Sequence, residues 1–413
     1  MYIERLSLAN FRNYQELVLD LKHGLSFFQG GNGQGKSNLL EAIYVLAIAK
    51  SPHASSDREM VRWESAKEGG HAQVGAIFRR DNERLKIQLD IQCLPGPSGE
   101  VQQNGRQSNL EGSTVQKRIR VNGLPRLASE LVGEINAVMF SAQDIQMVHG
   151  SPWVRRKYLD VLLSQLDHNY LRSLQKYQKI LYQRNHLLRS IREGRAQEDE
   201  LEFWDSELVA EGEYIVSRRY QAIQAISGAA RSLNSELTGS GEVLDMIYKP
   251  SAGDKEVDEV ERIAAAFKRA LEAQRRREVN QGITLSGPHR DDIQLLIDGM
   301  DAGLYASRGQ ARTIALSMKL AEASYLAQQR GQEPILLLDD VLSELDAARR
   351  DCVLAKASQF QQCLVTTTDM DLVGDAVAFS ASRFVVYHGR VEPLSAGGAP
   401  NKAFTDSKPD SGG

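Results

Sequence analysis

The sequence predicts an α/β fold: a mixed sheet with helices, an antiparallel β region at the N-terminus and an α-helical lobe inserted mid-chain. Three observations predict it. Residues 3–21 and 71–92 alternate apolar and polar positions in the strand manner. From Ser151 the apolar spacing changes to three or four. From Gly282 the alternation and short apolar runs return. The 413 residues are 42% hydrophobic and 25% charged. That is ordinary globular usage, sufficient for two or three domains. It excludes a disordered polymer, a collagen and a disulfide-dense miniprotein.

Each element follows in order. Ile3, Leu6 and Leu8 precede Asn10-Phe11-Arg12-Asn13-Tyr14, and Leu17, Leu19 and Leu21 follow, as in a hairpin. Leu25-Ser26-Phe27-Phe28 is a short strand leading into glycines. Asn38–Ala49 has good helix formers and an apolar face. Residues 71–92 form a second hairpin with Asp81-Asn82 at its turn, and 93–113 are an exposed loop. Val154, Tyr158, Leu162 and Leu166, then Tyr170, Leu174, Tyr177, Leu181 and Leu188, mark two helices broken near Asp167-His168-Asn169. Residues 200–237 and 256–279 read as helical, with 238–255 a connecting loop. Ile293, Leu295 and Ile297 make a strand ending at Asp298-Gly299. A helix over Gln310–Arg330 precedes the buried strand Ile335–Leu338. Cys363–Val365 and Phe384–Tyr387 are further strands. The expected organisation is 1–149, an inserted lobe 150–279, a return 280–392 and a disordered tail 393–413.

Whole-chain properties narrow the class. Cys93, Cys352 and Cys363 contain no C-x-x-C pair, which predicts neither a disulfide framework nor a zinc site and fits a cytoplasmic location. No apolar run approaches the roughly 18 residues of a membrane span. No basic region followed by an apolar one suggests a secretory signal. Fifty Lys and Arg against 54 Asp and Glu give a net charge of −4, so any anion-binding surface is local.

Gly30-Gly31-Asn32-Gly33-Gln34-Gly35-Lys36-Ser37 matches G-x-x-x-x-G-K-[ST], between a strand and a helix. Glycines let successive N–H groups turn inward as an anion nest. The nest opens a helix whose dipole favours phosphate, and Asn38 extends it. In such a loop Lys36 reaches the β- and γ-phosphates and Ser37 holds Mg²⁺. Ile335–Leu338 followed by Asp339-Asp340 is a buried strand ending in acids beside that loop. Asp339 is the expected Mg²⁺ ligand and Asp340 the general base that activates water. Ser307, Gly309 and Gln310 open a helix as a second anion site.

Taken in order, the phosphate loop, Ser307-Arg308-Gly309-Gln310, Asp339-Asp340 and Ser343-Glu344-Leu345-Asp346 resemble the motif set of ABC-type P-loop ATPase heads. That resemblance implies ATP sandwiched between two protomers, the signature loop of one closing on the nucleotide of the other. The match narrows with Leu8–Tyr14, Asn38–Tyr44, Gly150-Ser151-Pro152, Gln183-Arg184-Asn185, Ser286–Asp292 (SGPHRDD) and Ser307–Glu322. Across about residues 1–392 the chain is similar to the RecF family, bacterial ATPases of recombination and gap repair. The resemblance implies binding of duplex DNA and single-strand/duplex junctions by an ATP-dependent homodimer. It further implies partnership with RecO and RecR in placing RecA on gapped DNA, and a part in the SOS response.

Departures from the family pattern stand out. Phe140-Ser141-Ala142-Gln143-Asp144 replaces the usual Phe-Ser-Pro-Glu-Asp, with Gln143 or Asp144 as the contact to Mg²⁺ and water. Lys50-Ser51-Pro52-His53 replaces Ser-Phe-Arg. Asp340 stands where the general ABC head has Glu, one methylene longer, which implies slow hydrolysis. Thr366-Thr367-Thr368-Asp369 holds the position of the transporter's His.

Residues 151–195 carry ten cations, among them Arg155, Arg156, Lys157, Arg172, Lys176 and Arg184, against three anions. Such a segment can neutralise DNA phosphates, and Arg275-Arg276-Arg277 is a second candidate. His289 and Arg290 read as a structural turn. Two other functions fit the sequence less well. A transporter nucleotide-binding subunit is disfavoured by the 277 residues between Gly30 and Ser307. An SMC-like structural ATPase is disfavoured by an insertion of about 130 residues without sustained heptads.

Overall fold

The structure is a computed structural model describing residues 1–66, 70–81, 83–94, 114–252, 260–373 and 380–394. Asn82 of the expected turn, most of the 93–113 loop, residues 253–259 and 395–413 of the expected tail lie outside the described residues. Two compact units are formed. One comprises residues 1–131, 137–141 and 333–413, the other 132–136 and 142–332.

The first unit contains two sheets. The antiparallel one runs Tyr14–Asp20, Tyr2–Phe11, His71–Arg80, Glu83–Leu94, Thr114–Val121, Leu124–Arg126 from edge to edge. Both expected hairpins are present, with Leu8 opposite Leu17 and Val74 opposite Leu89. The second sheet runs Arg390–Pro393, Ser382–Tyr387, Gly24–Gln29, Gln362–Thr367, Ile335–Asp339, Ala137–Ser141. Its strands are parallel apart from Arg390–Pro393. Ile335–Asp339 has a parallel neighbour on each side and is buried at every residue, as a continuous apolar run requires.

The helix Lys36–Ile48 touches strands of both sheets. Every residue from Leu39 to Ala47 is buried, so the helix has no polar face. Several strands are not predicted by the sequence, among them Ala137–Ser141 and Thr114–Val121. Ala137–Ser141 has four apolar residues before a serine, too short a run to assign by periodicity. In Thr114–Val121 only Ile119 and Val121 are buried, so its alternation is weak.

The second unit holds the helices Pro152–Leu166, His168–Arg192, Leu201–Thr238, Val260–Gln281 and Arg308–Arg330. The expected break is there. The Asp167 carboxylate accepts from the N–H groups of Asn169 and Tyr170 and starts the second helix. The connecting loop expected over 238–255 is corrected. Leu244–Lys249 is a strand, antiparallel to Asp292–Ile297, which pairs in turn with Met300–Asp301. Leu244, Met246 and Tyr248 are its buried face. Six alternating residues between Gly-rich and Pro-containing flanks were too short a signal to outweigh those flanks.

Candidate functional site

Gly30–Ser37 joins the strand Gly24–Gln29 to the helix Lys36–Ile48. The Gly30 N–H donates to the Thr367 carbonyl at 3.2 Å. A Cβ on Gly30 would lie 2.3 Å from the Val386 carbonyl oxygen, so no side chain fits. Gly35 has φ +113° and a Cβ there would strike Asn13 at 2.5 Å. Side chains and backbone from elsewhere in the unit hold the loop. Asn13 Nδ2 donates to the Gln34 carbonyl at 2.9 Å and the Tyr14 hydroxyl to that of Gly35 at 2.9 Å. The N–H of His388 donates to Gln34 Oε1 at 2.7 Å and that of Gly389 to the Gln34 carbonyl at 3.1 Å. Asn38 Nδ2 donates to Asn13 Oδ1 at 2.8 Å, while Gly31, Asn32 and Gly33 face solvent.

Lys36 folds back along the loop, its Nζ donating to the carbonyls of Gly30 at 2.7 Å and Gly31 at 2.9 Å. Burial lowers its pKa, and the charges of Asp340 and Asp339 oppose that shift. Ser37 Oγ donates to Asp339 Oδ1 at 2.9 Å, across 302 residues of chain. Thr366 Oγ1 donates to the same oxygen at 2.7 Å and accepts from the Asp340 N–H at 2.8 Å. Asp340 adopts φ +52°, an uncommon conformation for a non-glycine residue. Its Oδ1 is buried without a hydrogen-bond partner among the described residues. Loop, lysine, hydroxyl and two acids are thus brought together.

These groups fit a nucleotide with a hard divalent cation. Ser37 and Asp339 offer oxygen ligands within one hydrogen bond of each other. No cluster of three or more His, Cys, Asp or Glu suited to a metal occurs among the described residues. Mg²⁺ needs none, because one or two carboxylates with substrate phosphates and water complete its shell.

A buried ion pair supports the loop's helix. Glu41 is fully buried and accepts from Arg12 at 2.7 and 2.9 Å, and from the Ser51 hydroxyl. Ser51 Oγ in turn accepts from the N–H groups of His53 at 2.9 Å and Ala54 at 2.7 Å. That gives the divergent Lys50–His53 stretch a structural role. Thr366, Asn13 and Tyr14 were not assigned these roles from sequence. Their only signal was polar residues at strand ends.

Ser307, Gly309, Gln310 and Gln143 belong to the second unit. Ser307 caps Arg308–Arg330, its Oγ accepting from the Gln310 N–H at 3.2 Å. Gln310 Oε1 accepts from the Ser307 N–H at 3.0 Å, closing a capping box. Gln310 Nε2 donates to Glu242 at 3.0 Å. Gly309 and Gln143 are exposed.

The basic segment needs correction. Arg184 is fully buried and bonds Asp205, Glu278 and Thr284 at 2.7–2.8 Å. Arg155 forks onto Asp292 at 2.7 and 2.9 Å, and Arg156 donates to the Asp291 carbonyl at 2.7 Å. Lys176 pairs with Glu207 and Glu211, and Arg275 with Asp205. Arg184 and Arg155 therefore hold the fold rather than phosphates, because a charge taken out of water needs a partner. Arg172, Lys179 and Arg189 remain exposed. His289 is structural: its Nδ1 accepts from the Tyr177 hydroxyl at 2.7 Å and its Nε2–H donates to the Thr284 carbonyl at 3.2 Å.

Residues 2–388 match the sequence model described as the RecF/RecN/SMC N terminal domain. Over 400 residues the chain is 40% identical to the DNA replication and repair protein RecF of Chloroflexus aurantiacus, covering 95% of this chain and 99% of that one. The chain belongs to the RecF family. RecF of Herpetosiphon aurantiacus is 38% identical over 401 residues, covering 95% of this chain and all of that one. A solved structure described as the recombination mediator protein RecF-ATP in the RecFOR pathway is 34% identical, with a TM-score of 0.82. The match covers 95% of this chain and 98% of that one. The Smc head of Pyrococcus furiosus shares the fold alone, at 18% identity and TM-score 0.52, covering 95% of this chain and 96% of that one. The RecF fold is the one expected, an ABC-type ATPase head with an antiparallel N-terminal sheet and long helices. Among the described residues no helix is long and apolar enough to cross a membrane.

Proposed function

We propose that this chain is an ATP-dependent DNA-binding protein of recombinational gap repair, with slow, DNA-stimulated ATP hydrolysis. One observation carries the ATP part of the reading: Ser37 and Asp339 meet at 2.9 Å beside the glycine cradle and Lys36; the similarity to RecF proteins supports the DNA part. The loop Gly30–Ser37 with Asn38 would cradle the phosphates through its N–H groups from Gly31 onward, and Lys36 would exchange its loop carbonyls for them. Ser37 and Asp339 would hold Mg²⁺, and the family resemblance implies Gln143 or Asp144 as a further contact to the ion and water. Held there, Mg²⁺ would supply neutralisation of the phosphate charge. Thr366 fixes the rotamer of Asp339 through its 2.7 Å bond. Asp340 accepts a proton from the attacking water, its bare Oδ1 being the acceptor. One methylene less than Glu places that oxygen further from the water and slows hydrolysis.

In this reading Ser307, Gly309 and Gln310 of one protomer close on the nucleotide of the other. ATP thereby gates a homodimer on duplex DNA or a single-strand/duplex junction in the cytoplasm. RecO and RecR are the partners named by the family resemblance, with RecA loading as the outcome.

Sedimentation with and without ATP–Mg²⁺ and a gapped duplex tests it. A monomer-to-dimer shift on ATP, with tighter DNA binding by the dimer, is expected. Lys36→Ala should abolish nucleotide binding and the shift. Ser307→Arg should keep nucleotide binding and block dimerisation. Unchanged ATP binding by Lys36→Ala would refute the phosphate-loop assignment.

A further inference from the structure

The helix His168–Arg192 contains no acidic residue in 25 positions, although the chain carries net charge −4. Its buried face consists of Tyr170, Tyr177, Ile180, Arg184 and Leu188. At 100° per residue the opposite face carries Arg172, Gln175, Lys179, Tyr182, His186 and Arg189. All six are exposed, Tyr182 at 65%. No carboxylate partners Arg172, Lys179 or Arg189 among the described residues. The neighbouring helix Leu201–Thr238 does supply acids, but Glu207 and Glu211 hold Lys176, at 2.8 and 2.9 Å, to the side of this stripe. A shallow groove of about 460 Å³ is lined by Gln175, Gln178, Lys179, Tyr182 and Gln183.

We propose that this exposed face is a rail for the phosphate backbone of duplex DNA, with Arg172, Lys179 and Arg189 as phosphate contacts. The proposal rests on the DNA-binding reading and places the duplex within it. Charge complementarity selects the occupant. Three unpartnered cations on one line repel a second copy of the same stripe and attract a polyanion. Amide and phenol donors between them suit phosphate and sugar oxygens, which take most protein–DNA hydrogen bonds. The line from Arg172 to Arg189 is about 25 Å long at 1.5 Å per residue, or about seven base-pair steps. A single exposed aromatic, Tyr182, makes no stacking platform, so the face reads a duplex rather than a single strand.

The test measures anisotropy of a labelled duplex bound to the full chain with ATP–Mg²⁺, over a series of salt concentrations. The variants are Arg172→Gln, Lys179→Gln and Arg189→Gln, singly and together. A charge-matched control combines Lys86→Gln, Arg118→Gln and Arg126→Gln, exposed on the N-terminal sheet. Each single change should lower the slope of log affinity against log salt by about 1, and the triple by about 3. ATP affinity and circular dichroism should not change. An unaltered slope in the triple variant overturns the rail and leaves the DNA-binding reading standing. Equal losses in the control overturn it too, because net charge alone would then explain binding. No duplex binding by the unmodified chain overturns rail and reading together. Tighter binding to single strands, lost in Tyr182→Ala, would overturn the duplex assignment. Tighter binding to a polyglutamate peptide would overturn nucleic acid as the occupant.

Discussion

At the level of single residues, the loop's shape is enforced by contacts rather than by flexibility alone. Gly30 and Gly31 are adjacent glycines with different surroundings. A methyl on Gly30 meets a backbone carbonyl at 2.3 Å, whereas one on Gly31 meets only Gln34 Cγ at 3.8 Å. Gly30→Ala should therefore cost on the order of 1–3 kcal/mol of stability, as overpacking does, and Gly31→Ala well under that. Urea denaturation of the two variants decides it, and equal stabilities would refute the steric argument. Asp339 shows how far legibility reached. Its place at the strand end beside the loop was readable because an apolar run ending in acids is a local pattern. Its second hydroxyl partner, Thr366, was not, because a hydrogen bond between two strands leaves no mark in the spacing of either.

Among the elements, the helical lobe buries two arginines within its apolar core. Arg184 and Arg219 are almost wholly buried, and Arg219 bonds Asp160 and the Pro288 carbonyl at 2.7 Å. Breaking one such pair leaves an uncompensated charge, which is more costly than never having built it. His289 lies in the turn that these arginines grip. Burial pulls its pKa down to about 4. An unfolded histidine titrates near 6.5, so the unfolded chain binds the extra proton between those values. This contribution to stability is complete above about pH 6.5 and is lost as pH falls toward 4, by up to about 3 kcal/mol. Denaturant melts at several pH values should show that decline, and His289→Gln should flatten it. An identical pH dependence in the variant would show that carboxylates alone produce it. The strand Leu244–Lys249 was missed at this scale. Its partner Asp292–Ile297 lies more than forty residues on, and only that pairing makes six residues a strand.

For the molecule as a whole, nucleotide binding and stability are linked. A ligand that binds only the folded chain stabilises it by about 2.7 kcal/mol at a hundredfold excess over its dissociation constant. ATP–Mg²⁺ should raise the melting midpoint by a few degrees, and Lys36→Ala should show no rise. A rise retained by that variant would place the nucleotide elsewhere. Because two compact units each carry a core, the midpoint is an operational value rather than a two-state one.

The amino-acid sequence alone determined the fold class, the phosphate loop, the acid-tipped strand and the helical lobe. Each of these is written in residues close together, through apolar period, glycine placement and helix-start chemistry. Only the tertiary structure decided which charges are available. In sequence Arg184 and Lys179 are equivalent cations five residues apart. In the folded chain one is sealed among Asp205, Glu278 and Thr284, and the other faces solvent. Burial depends on which helices meet, and that is settled by contacts between residues far apart in the chain.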